Sequence, residues 1–189
     1  MLLYGSTTSP FVRRIRLFTH SIPLPFKAMD IFTEQDRAQL RAKNPTLKVP
    51  FLLDDEQCIY DSRVIFRYLV DKFKLKPLSW SQENLLTIID AINDSLVSLF
   101  LLKRSGIDSS QDKLFFNLQK ERIEQGMQAL EDACMQGDFN DWHYPSICLF
   151  CLLDWIRFRE LLDLAAYSKL SQFHHGHLAR KEVIDTDPR

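Results

Sequence analysis

Three short segments of this chain combine residue types and spacings able to hold and activate a small ligand. In the first, Ser9-Pro10-Phe11-Val12 follows the apolar run Leu2-Leu3-Tyr4 and Gly5. A serine followed by proline reads as a helix N-cap with proline in the first turn. Dithiol exchange at such a strand-to-helix turn needs Cys-x-x-Cys, because the helix N-terminus stabilises a thiolate there. Ser9 and Val12 occupy those two positions, so that chemistry is excluded. A hydroxyl in the same place donates a hydrogen bond to the thiolate of another molecule. Taken alone, Ser9 is more readily a plain helix cap. Thr8 is the nearest substitute hydroxyl. Arg13, one turn further on, projects on the same side as Ser9 at about 100° per residue. Its charge either lowers a neighbouring thiol pKa or forms structural ion pairs.

The second segment is Lys48-Val49-Pro50. A proline opening an interior strand is explained if its peptide bond is cis, which turns the preceding backbone toward open space. Val49 then offers its N–H and C=O to an extended, peptide-like ligand, as strand addition does. An ordinary trans proline at a strand end is the alternative. The third is Asp61-Ser62, at the start of a helical pattern. Backbone N–H groups and the Ser62 hydroxyl suit a carboxylate, and Asp61 suits an ammonium group beside it. Together they fit an α-amino acid head group, although the pair also works as a simple cap.

These segments need elements to hold them. Leu2-Leu3-Tyr4 reads as a buried strand, and Phe11, Val12, Ile15 and Phe18 mark the apolar side of the helix after Ser9. A second strand is expected around Phe26–Ile31, then a polar helix from a Thr33 cap to about Lys43, ended by Asn44-Pro45. Val49 to Leu53 and Cys58 to Tyr60 read as a hairpin around Asp54–Gln57. The helix after Asp61-Ser62 carries Val64, Ile65, Tyr68, Leu69 and Phe73. The resulting order, βαβαββα, is α/β-like and fills residues 1–75. A linker is expected over 76–81. Beyond it, residues 82–189 read as an all-helical domain. One helix carries Leu85, Ile88, Ile92, Leu96 and Leu99, and another runs from about Ser110. A third, starting at Pro145-Ser146, is apolar nearly all round from Ile147 to Leu153 and should be the buried centre of a bundle. Weaker helical patterns lie near 168–180.

The 189 residues carry a net charge of −1, which offers no electrostatic reason to expect nucleic acid or an anionic membrane as a partner. No secretory leader pattern follows Met1, and the longest uninterrupted apolar run, Ile147–Leu153, is too short to span a bilayer. The four cysteines lack the dense framework of a small secreted domain, so a cytoplasmic location is expected. Cys148-x-x-Cys151 lies within an apolar helical run and reads as two buried, inert thiols. His174-His175-Gly176-His177 reads as a solvated connection, and no metal site is expected.

Read in order, Ser9, Val49-Pro50 and Asp61-Ser62 resemble the glutathione site of the glutathione transferase family, and the all-helical second half extends the likeness over nearly the whole chain. The stretch Thr8-Ser9-Pro10-Phe11-Val12-Arg13-Arg14 is most similar to bacterial serine-type members. The ending Arg180…Thr186-Asp187-Pro188 is also similar to that of many bacterial members. The resemblance implies a thioredoxin-like N-terminal domain followed by a C-terminal helical bundle, and a homodimer. It implies that Ser9 stabilises the glutathione thiolate and that Val49, beside Pro50, pairs with the cysteinyl backbone. Asp61 and Ser62 would hold the γ-glutamyl end and Lys48 the glycyl carboxylate. Lowering a thiol pKa by one unit takes about 1.4 kcal/mol, within reach of a charge-assisted hydrogen bond and a helix N-terminus.

The implied activity is attack of the glutathione thiolate on a small electrophile. Glutathione is then a co-substrate, with no further cofactor. The second substrate would lie between the domains, with Phe11 at its rim and the Leu96–Arg104 helix as its far wall. Ser9 with Asp61-Ser62 favours the enzyme, while two departures from the family pattern keep open an alternative from a different class, a non-catalytic interaction protein of the stringent starvation protein A type. Leu47 stands where the family commonly has glycine. Ser146 is followed three residues later by Leu149, where the family often has aspartate completing a capping box.

Overall fold

The computed structural model describes residues 1–189, which divide into two compact units. Unit one comprises Met1–Pro77 together with Leu178–Arg189, and unit two comprises Leu78–His177.

The first unit is built on a four-stranded mixed sheet, β1 (Leu2–Gly5), β2 (Phe26–Ala28), β3 (Phe51–Asp54) and β4 (Gln57–Tyr60), in the order β2-β1-β3-β4. β2 runs parallel to β1, β3 antiparallel to β1, and β4 antiparallel to β3. Three helices accompany it: α1 (Pro10–Phe18), α2 (Glu34–Lys43) and α3 (Ser62–Lys72). This is the expected thioredoxin-like βαβαββα order. β2 is shorter than expected, because Asp30 and Thr33 organise a turn in which the Asp30 carboxylate accepts from Phe32 N.

Apolar packing fixes the helices. Val12 and Ile15 of α1 and Ile65 and Leu69 of α3 are fully buried. Phe66 is buried as well and meets Phe18 edge to face at 4.9 Å. Two residues assigned to the apolar side of α3, Val64 and Phe73, are instead exposed. Gly5 lets α1 approach the sheet. A Cβ on it would lie 2.4 Å from Val12 Cγ2, closer than real carbon atoms come.

At the Gln57 end of the hairpin, Asp54 is buried with the Tyr68 hydroxyl 2.5 Å from its Oδ2 and Lys72 Nζ on the same oxygen. The Lys72 and Tyr68 hydrogen bonds hold its carboxyl below the ordinary carboxylate range. This cluster ties α3 to the sheet.

The second unit is helical: α4 (Trp80–Arg104), α5 (Leu114–Gln136), α6 (Tyr144–Arg159) and α7 (Ser168–His177). α4 begins inside the expected 76–81 linker. Ser79 and Gln82 form a reciprocal capping box there, with Ser79 Oγ accepting from Gln82 N and Gln82 Oε1 from Ser79 N. By length and composition α4 could cross a bilayer. In this fold it packs on α5 and α6 and buries Leu85, Leu86, Ile89, Ile92 and Leu96.

α6 is the expected bundle centre, with every residue from Tyr144 to Ile156 buried. Its cap differs from the expected one. His143 is the N-cap, its Nδ1 accepting from Ser146 N at 3.2 Å, while Ser146 Oγ donates to Asp141 O at 2.6 Å. The missing aspartate at Leu149 is thus replaced by a cap one turn earlier. α7 is capped from a distance: the Glu131 carboxylate on α5 accepts from Lys169 N and Leu170 N at 2.8 and 2.9 Å.

The histidine run is not a solvated connection. It closes α7, with His174 buried, 2.9 Å from the Asp154 carboxylate and stacked on Phe150. His177 stacks on Trp142. Cys148 and Cys151 are buried free thiols, and the Cys134 thiol is pushed up to about 12 by burial and by the Glu131 and Asp138 carboxylates.

The expected second domain, drawn to residue 189, ends earlier. The last helix, α8 (Lys181–Asp185), belongs to the first unit. Buried Arg13 of α1 donates through Nη2 to Val183 O at 3.0 Å and through Nε to Thr186 Oγ1 at 3.2 Å.

Candidate functional site

The strand register brings the three ligand-type segments to one end of the sheet. Tyr4 pairs with Phe51 and Phe51 with Tyr60, so these residues form one row across β1, β3 and β4. The chain leaves the row at the same end each time, toward Ser9 after β1, back to Val49 before β3, and on to Asp61 after β4. With strands about 4.8 Å apart, the row is roughly 10 Å wide. An extended tripeptide, at about 3.3 Å per residue, has the same length.

Each segment has its own local geometry. Ser9 is the N-cap of α1, and its Oγ accepts from Val12 N at 3.4 Å. That long bond uses an acceptor site and leaves the hydroxyl proton available to donate. α1 also directs its N-terminal N–H groups to this end of the sheet, where they favour negative charge. Thr8 Oγ1 lies 3.1 Å from Ser6 Oγ. The half-buried ring of Phe11 lies beneath the Arg14 guanidinium, 4.8 Å from its centroid. The Arg13 guanidinium is engaged in the α8 contact, through hydrogen bonds to Val183 O and Thr186 Oγ1 of the C-terminal segment.

The Val49-Pro50 peptide bond is cis. The backbone hydrogen bonds of the loop and of the β1–β3 ladder do not use the Val49 N–H or C=O. Backbone at the mouth of a strand with both groups unpaired is a pairing edge for another extended backbone. Lys48 is exposed beside it.

The loop is held from below by Asn44, a residue that sequence reasoning treated only as a helix end. Asn44 is fully buried, its Nδ2 donating to Lys48 O at 2.8 Å and its Oδ1 accepting from Thr46 N and Thr46 Oγ1 at 2.9 and 2.8 Å. The signal available in the sequence is Asn-Pro followed by Thr, an Asx-turn pattern. Leu47, between these anchors, has φ 55°, in the left-handed region. That geometry explains why glycine suits the position.

Asp61 caps α3, its Oδ1 accepting from Arg63 N at 2.8 Å and Val64 N at 3.4 Å. The residue itself sits at φ 69°, ψ 138°, a conformation rare for any side chain but glycine. Such outliers cost on the order of 1–3 kcal/mol and concentrate at ligand clamps. Ser62, the first residue of α3, is buried beside it.

Residues 3–77 match the family model described as glutathione S-transferase, N-terminal domain. Over these residues the chain is similar to glutathione S-transferase N-terminal domains. Over a longer span the chain is 25% identical to the GST-like protein YibF of Escherichia coli, across 85% of this chain and 84% of that one. It is 22% identical to a probable maleylacetoacetate isomerase of Vibrio cholerae, across 91% and 88%.

Among solved structures, a glutathione S-transferase from Methylobacillus flagellatus with GSH bound superposes with a TM-score of 0.86 at 22% identity, covering 100% of this chain and 99% of that one. A glutathione transferase family member from Pseudomonas fluorescens Pf-5 with bound glutathione gives 0.83 at 22% identity, with 100% and 98% covered. At these identities the superpositions establish the fold. The glutathione S-transferase fold therefore extends over both units, and the glutathione in those two structures is theirs.

Proposed function

We propose that this protein is a glutathione transferase that binds glutathione along the Tyr4–Phe51–Tyr60 row and delivers its thiolate to a small electrophile. One observation carries the reading: the unpaired Val49 backbone lies in the middle of the row, with Ser9 on one side and Asp61-Ser62 on the other.

In this reading the cysteinyl backbone of glutathione pairs with Val49 N–H and C=O. The γ-glutamyl carboxylate takes the Ser62 N–H and hydroxyl at the start of α3, and its ammonium takes Oδ2 of Asp61, whose Oδ1 serves the helix cap. Lys48 meets the glycyl carboxylate. The thiol then lies at the α1 N-terminus, where the Ser9 hydroxyl donates to the sulfur. Hydroxyl and helix dipole both favour the thiolate over the thiol, so the proton leaves to solvent near neutral pH. The sulfur lone pair attacks the electrophilic atom, a carbon–sulfur bond forms, and the leaving group departs or the π-electrons shift. Thr8 is the reserve hydroxyl, and Phe11 supplies apolar surface for the electrophile. A homodimer acting in the cytoplasm is the proposed working form.

Calorimetric titration of glutathione into wild type and Asp61→Asn tests this reading. Asparagine keeps the cap acceptor on α3 and removes the charge that faces the ammonium. Saturable binding weakened about tenfold in the variant supports the site, the loss of one charge-assisted contact being worth about 1.5 kcal/mol. A folded wild-type protein that does not bind glutathione would sink the transferase reading in favour of the interaction-protein class. Ser9→Ala should bind glutathione but form less thiolate, read from thiolate ultraviolet absorbance against pH.

A further inference from the structure

The feature left without a role is the C-terminal segment, which folds onto α1 rather than staying with the helices that precede it. Arg13 is 4% exposed and Thr186 also 4%. The Arg13 guanidinium donates to Val183 O and to Thr186 Oγ1, and the Thr186 hydroxyl in turn donates to Glu182 O at 2.8 Å. A second fastening lies past the other end of α1. There His20 Nε2 is 2.9 Å from Asp185 Oδ2, the oxygen that also takes Lys181 Nζ at 2.6 Å. α8 therefore holds α1 at Arg13 and again just past its C-terminal end, while Val12 packs α1 against Gly5 from the sheet side. Burying a guanidinium is unfavourable compared with an apolar side chain of similar volume. A face of α1 that needed only to be covered would carry such a residue at position 13. What the guanidinium adds is direction, through two donors aimed at two acceptors at fixed spacing.

We propose that residues 178–189 act as a strap that sets the axial position and rotation of α1, with Arg13 as the positioning residue for the Ser9 hydroxyl. The link is short. Arg13 N donates to Ser9 O at 3.0 Å, and Val12 N donates to Ser9 Oγ at 3.4 Å. Anchoring the Arg13 side chain thus anchors the peptide units that hold both the carbonyl and the hydroxyl of Ser9. A hydrogen bond to a sulfur anion weakens steeply with misalignment. Small rotations of α1 therefore move the thiol pKa, while the contacts from Val49, Asp61 and Lys48, none of them on α1, keep glutathione bound. The inference rests on the transferase reading for its effect on the thiol, but the strap itself does not.

Two variants separate position from charge. Thr186→Val removes the acceptor of Arg13 Nε without changing any charge. Arg13→Lys keeps the charge but cannot reach both acceptors. The pKa of bound glutathione is read by thiolate absorbance, affinity by calorimetry, and α1 order by amide hydrogen exchange at Val12 and Arg13. Both variants should bind glutathione within about twofold of wild type, with the bound thiol pKa raised by roughly half to one unit. That is about three- to tenfold less thiolate at a pH below both values. Thr186→Ser, which restores the hydroxyl, should return the wild-type pKa.

A lower melting temperature with an unchanged thiol pKa would overturn the proposal. So would an Arg13→Lys protein identical to wild type, since charge alone would then suffice. If wild type binds no glutathione, the transferase reading falls and exchange decides the strap: faster exchange at Val12 and Arg13 in Thr186→Val upholds it, and unchanged exchange removes it.

Discussion

Replacing Leu47 by glycine should make this protein more stable, against the usual effect of removing a side chain. Leu47 has φ 55° and is 42% exposed. An L-residue held in the left-handed region loses about 1–2 kcal/mol to contact between its Cβ and the following carbonyl. Glycine removes that contact but has more freedom to lose on folding, which takes back about 0.5–1 kcal/mol. The half-exposed leucine side chain loses little by deletion. The net gain is about 0.5–1 kcal/mol, or roughly 2 °C in melting temperature for a chain of this size. Leu47→Ala is the control, because alanine keeps the Cβ and should give no rise. Differential scanning calorimetry of the three proteins at one pH and concentration measures the difference. A Leu47→Gly protein no more stable than Leu47→Ala would refute the argument, since backbone strain would then not be what separates them.

Other perturbations follow from the same geometry. Asn44→Ala leaves Lys48 O, Thr46 N and Thr46 Oγ1 without their partner. It should cost about 3 kcal/mol at about 1 kcal/mol per bond, with faster amide exchange over residues 46–49; a denaturation loss below about 1 kcal/mol would contradict it. Gly5→Ala drives a Cβ into Val12 Cγ2 and should cost about 1–3 kcal/mol, part of which the double variant with Val12→Ala recovers in the same unfolding experiment. Asp54 has a folded pKa held down mainly by Lys72 and then by Tyr68. Its contribution is therefore fully present above the unfolded-state value of about 3.9 and is lost as pH falls through the lower folded value. Melting curves from pH 6 down to about 2 should show a shallower acid decline in Asp54→Asn than in wild type, and parallel declines would exclude the cluster as a source of acid sensitivity.

What could be read from the sequence tracks how local the physics is. Ser9-Pro10, Thr33 and Asp61-Ser62 announce their helices because the cap and the helix it serves are adjacent in the chain. Pro50 at a strand mouth left cis and trans both open, and the bond is cis. The α6 start was hidden because histidine is an unusual cap, and Ser146 nearby looked like the better one. Burial of His174 depends on Asp154 and Phe150, both on another helix, and the stacking of His177 depends on Trp142 just before that helix. The strap was illegible for the same reason. Arg13 and Val183 are 170 positions apart, and no periodicity connects them. Asn44 was seen as a breaker but not as an anchor, since its three partners become visible only once the loop closes over it.

The Tyr4–Phe51–Tyr60 row has an opposite end, where the β3–β4 hairpin turns through Asp55 and Glu56, both exposed. That turn points away from every segment assigned to glutathione. Growth of the chain there, by natural insertion or by grafting a peptide between Asp55 and Glu56, adds only a slowly rising loop entropy, about 0.6 kcal/mol per doubling. Lengthening the loop before Val49, or the turn between Gly5 and Ser9, alters the ligand's own cradle. The sheet thus has one end open to acquiring new appendages and one end bound to its present geometry. Descendants of this fold that gain a tethered module should carry it at the hairpin.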